Sequence, residues 1–201
     1  MAARLRVGVL LSGSGTNLQA ILDEAGSAYE VAVVLSDKAD AFGLERARSA
    51  EIPAVHVDPK SHDGRDAFNA ALVAALNEYR VELVCLAGFM RILAPNFVQA
   101  FENRILNIHP ALLPAVPGGH AVADALAWGA KVTGTTVHLV DEEVDHGPIV
   151  LQRAVSIEPG DTEETLHERI KAVEHELYPE AIRLFAAGRL KIEGRVVHVL
   201  D

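Results

Sequence analysis

Hydrophobic positions along this chain fall into short dense runs separated by stretches with helical spacing. Leu5–Leu11 is almost wholly apolar and ends in Ser-Gly-Ser-Gly, the pattern of a strand buried on both faces. Residues 17–25 then place Leu18, Ile21 and Leu22 on one side of a helix. Residues 31–35 predict a second strand, 42–50 a helix with Asp40 as its cap, and 54–57 a short third strand. After a loop over 58–64, Asp63 or Asp66 starts a helix carrying Phe68, Leu72, Leu76 and Tyr79. Residues 83–87 form a fourth strand, Pro95 opens a short helix, and 104–108 form a fifth strand. This alternation of strand and helix predicts an α/β fold with a doubly wound, mostly parallel sheet, Rossmann-like in its first half.

Beyond Pro110 the period changes. ALLPAVPGGH is a loop punctuated by proline and glycine, and residues 122–128 form a helix. Residues 132–140 and 149–157 alternate apolar and polar positions across the seven-residue turn DEEVDHG, which predicts an antiparallel C-terminal hairpin extension. Asp161 or Thr162 caps a long amphipathic helix reaching about residue 187, with Asp161 and Glu164 as a capping box and Pro179 as a kink. A small hairpin around Glu193-Gly194 closes the chain. No repeat or low-complexity tract interrupts the pattern, so one domain over residues 1–201 is expected.

Composition narrows the class. Half of the 201 residues are hydrophobic and 23% are charged, enough apolar surface for a sizeable core. The start MAARLRVGVLLSGSG has the look of a signal peptide, but its apolar run is short and lacks a small-residue cleavage site, so it reads as a buried strand. No apolar run reaches the roughly 20 residues a membrane helix needs. Cys85 is the only cysteine and lies in an apolar run, which fits a reducing, cytoplasmic setting. A net charge of −10 without a long basic run argues against nucleic acid, so an anionic ligand must be held by local donors.

Three stretches carry candidate chemistry. Asn107 and His109 are two apart on the fifth strand and share a face, and Pro110 ends the ladder there. An amide donor and an imidazole at the carboxyl end of a strand suit oxyanion stabilisation and proton transfer, though packing alone also accounts for them. The turn of residues 11–17, LSGSGTN, brings Gly13 and Gly15 to the start of a helix, where amides favour a phosphate; Leu18 stands where a dinucleotide fingerprint wants glycine. Asp145 lies in the acidic hairpin turn; beside His109 it would favour imidazolium, and otherwise it is a solvated acid. His109, His120, His138, Asp145 and His146 are metal-ligand types, yet no HExxH or cysteine pair accompanies them, so no metal is expected. His138 reads as a hydrogen-bonded structural histidine, and Lys171, three residues before Glu174, can pair with it on the helix.

Taken in order, LSGSGTNLQAI, SDKADAFGLERA, AGFMRIL, LNIHPALLP, PGGH, TGTTVHLVDEEVDHGPIVLQ and VEHELYP resemble the phosphoribosylglycinamide formyltransferases over essentially the whole chain. The resemblance implies transfer of a formyl group from 10-formyltetrahydrofolate to the amine of glycinamide ribonucleotide, in purine biosynthesis. It implies that Asn107, His109 and Asp145 are catalytic, with Asn107 and Asp145 also touching folate. Gly13, Ser14, Gly15, Thr16 and Asn17 would take the substrate phosphate, and Lys171 and Glu174 other parts of the ribonucleotide. Arg65, Met90, Arg91, Ile92 and Leu93 would bind the folate, and His120 would be a loop contact. Residues 1–110 would then be the nucleotide-phosphate half and 111–201 the folate-binding and closing half. The partners implied are these small molecules, with no nucleic acid or membrane, and a homodimer is left open.

This chain departs from the family in places. His146 stands where many relatives have a small residue, Val116 replaces a commonly aromatic one, and the 115–124 segment lacks a second histidine and a basic residue. Methionyl-tRNA formyltransferase and formyltetrahydrofolate deformylase share a similar Asn-x-His-Pro core, but each implies a further domain that this chain is not expected to carry. A non-catalytic nucleotide-phosphate sensor and a dehydrogenase are the readings from other classes.

Overall fold

The computed structural model describes residues 4–201; residues 1–3, part of the signal-like start, lie outside the described residues. The chain divides into two compact units, one running up to Leu106 and the other spanning Asn107–Asp201. The expected elements are present, with ends shifted by a residue or two.

The first unit holds β1 (Leu5–Leu11), α1 (Thr16–Asp23), β2 (Tyr29–Ser36), α2 (Phe42–Ser49), β3 (Ala54–His56), a 3-10 turn (Pro59–Ser61), α3 (Gly64–Glu78), β4 (Leu83–Leu86) and α4 (Pro95–Ala100). Its strands lie in the order β3-β2-β1-β4, all parallel. The last five residues of β1 and all four of β4 are buried, as both-face burial of a parallel sheet requires. Helix α3 buries Phe68, Leu72 and Leu76, four apart on one stripe. Full burial of a leucine such as Leu10, Leu35, Leu72 or Leu76 contributes about 1.5–3 kcal/mol, so these contacts dominate the unit's stability. Two expected caps are not made. Ala41, not Asp40, occupies the N-cap of α2, so the Asp40 carboxylate is one residue too early to reach the first-turn amides. Asp63 does precede α3, but its side chain forms no cap hydrogen bond.

Strand β5 (Ile105–His109) carries the chain from the first unit into the second. The second unit adds α5 (Ala121–Ala127), β6 (Val132–Leu139), β7 (Ile149–Ser156), α6 (Glu163–Ala186), β8 (Leu190–Glu193) and β9 (Val196–Val199). The hairpin of β6 and β7 is antiparallel, as its alternation predicts. The closing hairpin of β8 and β9 is also antiparallel, and β9 runs parallel to β7. Helix α6 packs Leu166 and Ile170 against Val122 and Val155. Thr162, one of the two expected caps, is its N-cap, but the capping box differs from the expected Asp161–Glu164 pair. Thr162 and Thr165 form the reciprocal box, because Asp161 gives both carboxylate oxygens to Arg169, at 2.8 and 2.9 Å. Pro179 lies inside α6, which continues through it.

Candidate active site

Strand β5 turns Asn107 and His109 to one side, and the β6–β7 turn brings Asp145 to them. The Asp145 carboxylate is 3.3 Å from Nδ1 of His109 and 3.4 Å from the Asn107 amide nitrogen, which donates to it. The backbone N–H of Gly118 donates to the same carboxylate at 2.8 Å. His109 and Asp145 side chains are only 5% and 10% exposed, so these charges interact with little screening by water. Burial alone would push the Asp145 carboxyl up. The imidazole of His138, the Gly118 amide and the charge of His109 outweigh it, and the net displacement is downward.

Hydrogen-bond accounting distinguishes the two buried imidazoles. His109 faces an oxygen acceptor on each side, Asp145 at Nδ1 and the Val116 carbonyl 2.8 Å from Nε2. A protonated ring would be matched on both sides, by the charge of the carboxylate and by the carbonyl. His138 instead has Nδ1 2.8 Å from the Leu139 carbonyl and Nε2 3.1 Å from the Asn107 amide. The same Nε2 lies 3.7 Å from the Asp145 carboxylate. His138 is thus hydrogen-bonded, as its strand position suggests, but it also orients Asn107. Asp145 and Val116 hold φ values of +52°, which non-glycine residues adopt at a cost and mostly at constrained sites.

The phosphate-loop candidates lie in the first unit. Gly15 precedes α1 in the left-handed conformation, and no acidic residue enters the helix's first turn. By helix geometry the first-turn amides lack carbonyl partners inside the helix, which suits an anion. The loop carbonyls are drawn the other way. Gly43 donates its N–H to the Gly13 oxygen at 3.0 Å, and Nε of Arg46 donates to the Ser14 oxygen at 2.9 Å. The approach is so close that a Cβ on Gly15 would sit 2.7 Å from Cα of Gly43. Glycine is required there by both space and φ.

Arg65, Met90, Arg91 and Ile92 line an open cavity of about 510 Å³, together with Pro59, Gly64 and Phe68. Two guanidinium groups beside exposed apolar side chains suit an anionic ligand with a flat ring. Leu93 is half-buried at the end of the same segment. A buried network that sequence reading missed holds this wall. Ser12 Oγ donates to Asp37 at 2.6 Å and accepts from the Met90 amide at 2.9 Å, while Nε of Arg91 donates to Asp37 at 2.7 Å. Asn69, also buried, accepts from the Ala94 amide and donates to the Arg65 carbonyl. The signal was present as polar residues at the ends of apolar strands, but their partners are far off in sequence.

The remaining candidates have surroundings of their own. His120 is exposed at the head of α5. Lys171 pairs with Glu168 at 2.6 Å, and Glu174 is buried in α6. His146 pairs with Asp141 at 2.7 Å. Among the described residues, no group of three or more His, Cys, Asp or Glu side chains is placed to hold a metal ion.

Residues 5–182 match the family model described as formyl transferase. The chain belongs to the formyl transferase family. Within this family it is 45% identical over 191 residues to the phosphoribosylglycinamide formyltransferase of Escherichia coli strain K12, covering 94% of this chain and 90% of that one. It is also 45% identical over 203 residues to the human trifunctional purine biosynthetic protein adenosine-3, covering 98% of this chain. It spans only about a fifth of that longer protein's length. The crystal structure of glycinamide ribonucleotide transformylase 1 from Symbiobacterium toebii superposes with a TM-score of 0.97 at 59% identity, over 98% of this chain and 95% of that one. The α/β formyl transferase fold, mostly parallel with antiparallel C-terminal strands, is therefore that of this chain.

Proposed function

We propose that this chain transfers the formyl group of 10-formyltetrahydrofolate to the amine of glycinamide ribonucleotide, a step of purine biosynthesis, and that residues 1–201 form one catalytic domain for it. The observation that carries the reading is the acceptor set around His109, a carboxylate at one ring nitrogen and a carbonyl at the other. An imidazolium held in this way is a charged donor in a buried setting, the equipment needed where an oxyanion develops. The Val116 oxygen, 2.8 Å from Nε2, stands at the distance an oxyanion would take from that nitrogen.

In this mechanism the substrate amine attacks the formyl carbon and a tetrahedral intermediate forms. Nε2 of His109 and the Asn107 amide donate to its oxygen. The Asn107 contact to Asp145, at 3.4 Å, is the longer of the two that amide makes and the one exchanged for the intermediate. The C–N bond to N10 then breaks, N10 takes up a proton, and the attacking nitrogen gives one up. The proton given up by the attacking nitrogen is the one N10 receives, passed by way of His109 while Asp145 holds the imidazolium, so no metal is required. Gly13, Ser14, Gly15, Thr16 and Asn17 would bind the phosphate, and Lys171 and Glu174 the rest of the ribonucleotide. Arg65 and residues 90–93 would bind folate. A cytoplasmic setting accords with the lone buried Cys85. Among the described residues, no helix is long and apolar enough to cross a membrane.

The test is a choice of acceptors. Purified protein and 10-formyltetrahydrofolate are incubated with glycinamide ribonucleotide, with methionyl-tRNA, or with neither. Product should form only with the ribonucleotide. Formate release without any acceptor, or preference for the tRNA, would overturn the assignment.

A further inference from the structure

The turn carrying Asp145 is tied from outside by the C-terminal hairpin. The parallel register of β7 and β9 pairs Ile149 with Val196, which sets Arg195 beside the residues leading into β7. The Arg195 guanidinium donates to the backbone carbonyl of His146 and lies 3.0 Å from Nε2 of its ring. Nδ1 of the same ring is 2.7 Å from Asp141, the residue that opens the turn, and Asp141 also accepts the Glu143 amide at 3.0 Å. The guanidinium nitrogen that lies 3.0 Å from Nε2 is also 3.4 Å from Nδ1, so one arm of Arg195 rests over the ring while the other donates to the carbonyl.

Asp145 needs such a hold. Its φ of +52° is one that a non-glycine side chain keeps only when its surroundings enforce it. Only His146 and Gly147 separate it from Pro148, at the entry to β7. Gly147 is packed so closely that a Cβ there would lie 1.9 Å from the Leu139 oxygen. The His146 carbonyl is therefore the handle by which the turn can be fixed from the solvent side.

We propose that Arg195, acting through His146, is a positioning residue for formyl transfer: it fixes the turn so that the Asp145 carboxylate meets His109 and the Gly118 amide. The inference rests on the reading of Asp145 as the partner of the catalytic imidazole. Exposed charge contacts contribute little to stability, so the effect falls on rate rather than on folding.

The experiment is a double-mutant cycle of Arg195→Ala and Asp145→Asn, with Arg195→Lys as the conservative variant. Melting curves confirm that each variant is folded. Arg195→Ala should lower kcat about tenfold, the order of loss that a small misplacement of a reacting group produces. KM for both substrates should stay within about twofold, and in the Asp145→Asn background the same change should cost no more than about twofold, because the group it positions is gone. Arg195→Lys should recover part of the rate, since an ammonium still donates to the His146 carbonyl. Wild-type kcat in Arg195→Ala, a loss expressed in KM, or an equal loss in both backgrounds would overturn the proposal while leaving Asp145's role intact. Full turnover in Asp145→Asn would instead remove the reading on which it rests.

Discussion

At the scale of single residues, the chemistry depends on which hydrogen-bond partner each polar group is given. His109 and His138 are both buried, yet one sits between two oxygens and the other between an oxygen and an amide. That difference leaves the first ring with an oxygen acceptor at each nitrogen, the arrangement a doubly donating imidazole needs. Gly15 is the other residue on which much depends. Gly15→Ala forces a Cβ against Gly43 at a positive φ, a strain of about 1–3 kcal/mol. The expected outcome is a KM for glycinamide ribonucleotide raised about five- to hundredfold, with the KM for the folate unchanged. Initial-rate kinetics with each substrate varied in turn check this. An unchanged ribonucleotide KM would show that the loop does not hold the phosphate.

At the scale of elements, strands were more legible in sequence than caps and buried networks. Apolar runs locate β1, β2 and β4 because both-face burial confines polar residues such as Arg6, Glu30 and Ser36 to positions near the strand ends. Asp161 was read as half of a capping box, but a neighbouring guanidinium competes for its carboxylate, and Thr162 takes the cap. The Asn107–His109 pair was legible because two-residue spacing on a strand is a local rule. The bonds from Ser12 to Asp37, Asp37 to Arg91 and Met90 to Ser12 were not, since they join positions 25, 54 and 78 residues apart. The pairing of β9 with β7 was missed for the same reason.

The start of α6 gives a pH prediction. Arg169, the Glu158 amide and Thr165 hold the Asp161 carboxyl well below its ordinary 3.8. A depressed folded-state value means the contribution is present above the unfolded-state value and is lost as pH falls toward the folded one. Asp161→Asn should therefore melt at a lower temperature than wild type at neutral pH, with the gap closing below about pH 4. A gap that stays constant down to strong acid would contradict the Arg169 pairing as its cause. Helix α6 carries both Lys171 and Glu174, so loss of its first turn would loosen the element assigned to the ribonucleotide.

For the whole molecule, a net charge of −10 works against the two anionic substrates proposed, and local groups have to reverse that field. The first-turn amides of α1 and the guanidinium of Arg65 are the local sources on offer, the charge of Arg91 being shared with Asp37. Family membership was readable from the ordered motifs, most of which mark turns or strand ends. The positions of His138, Val116 and Gly118 around the reacting group came only with the fold. The account's central claim is that an amide, an imidazolium and a carboxylate carry formyl transfer without a metal. It is tested most directly by measuring transfer from 10-formyltetrahydrofolate to glycinamide ribonucleotide, in excess chelator, for wild type and Asp145→Asn. Chelated wild type should turn over at its full rate and Asp145→Asn about two decades or more below it. Loss of wild-type activity to the chelator, or equal rates for the two proteins, would contradict the claim.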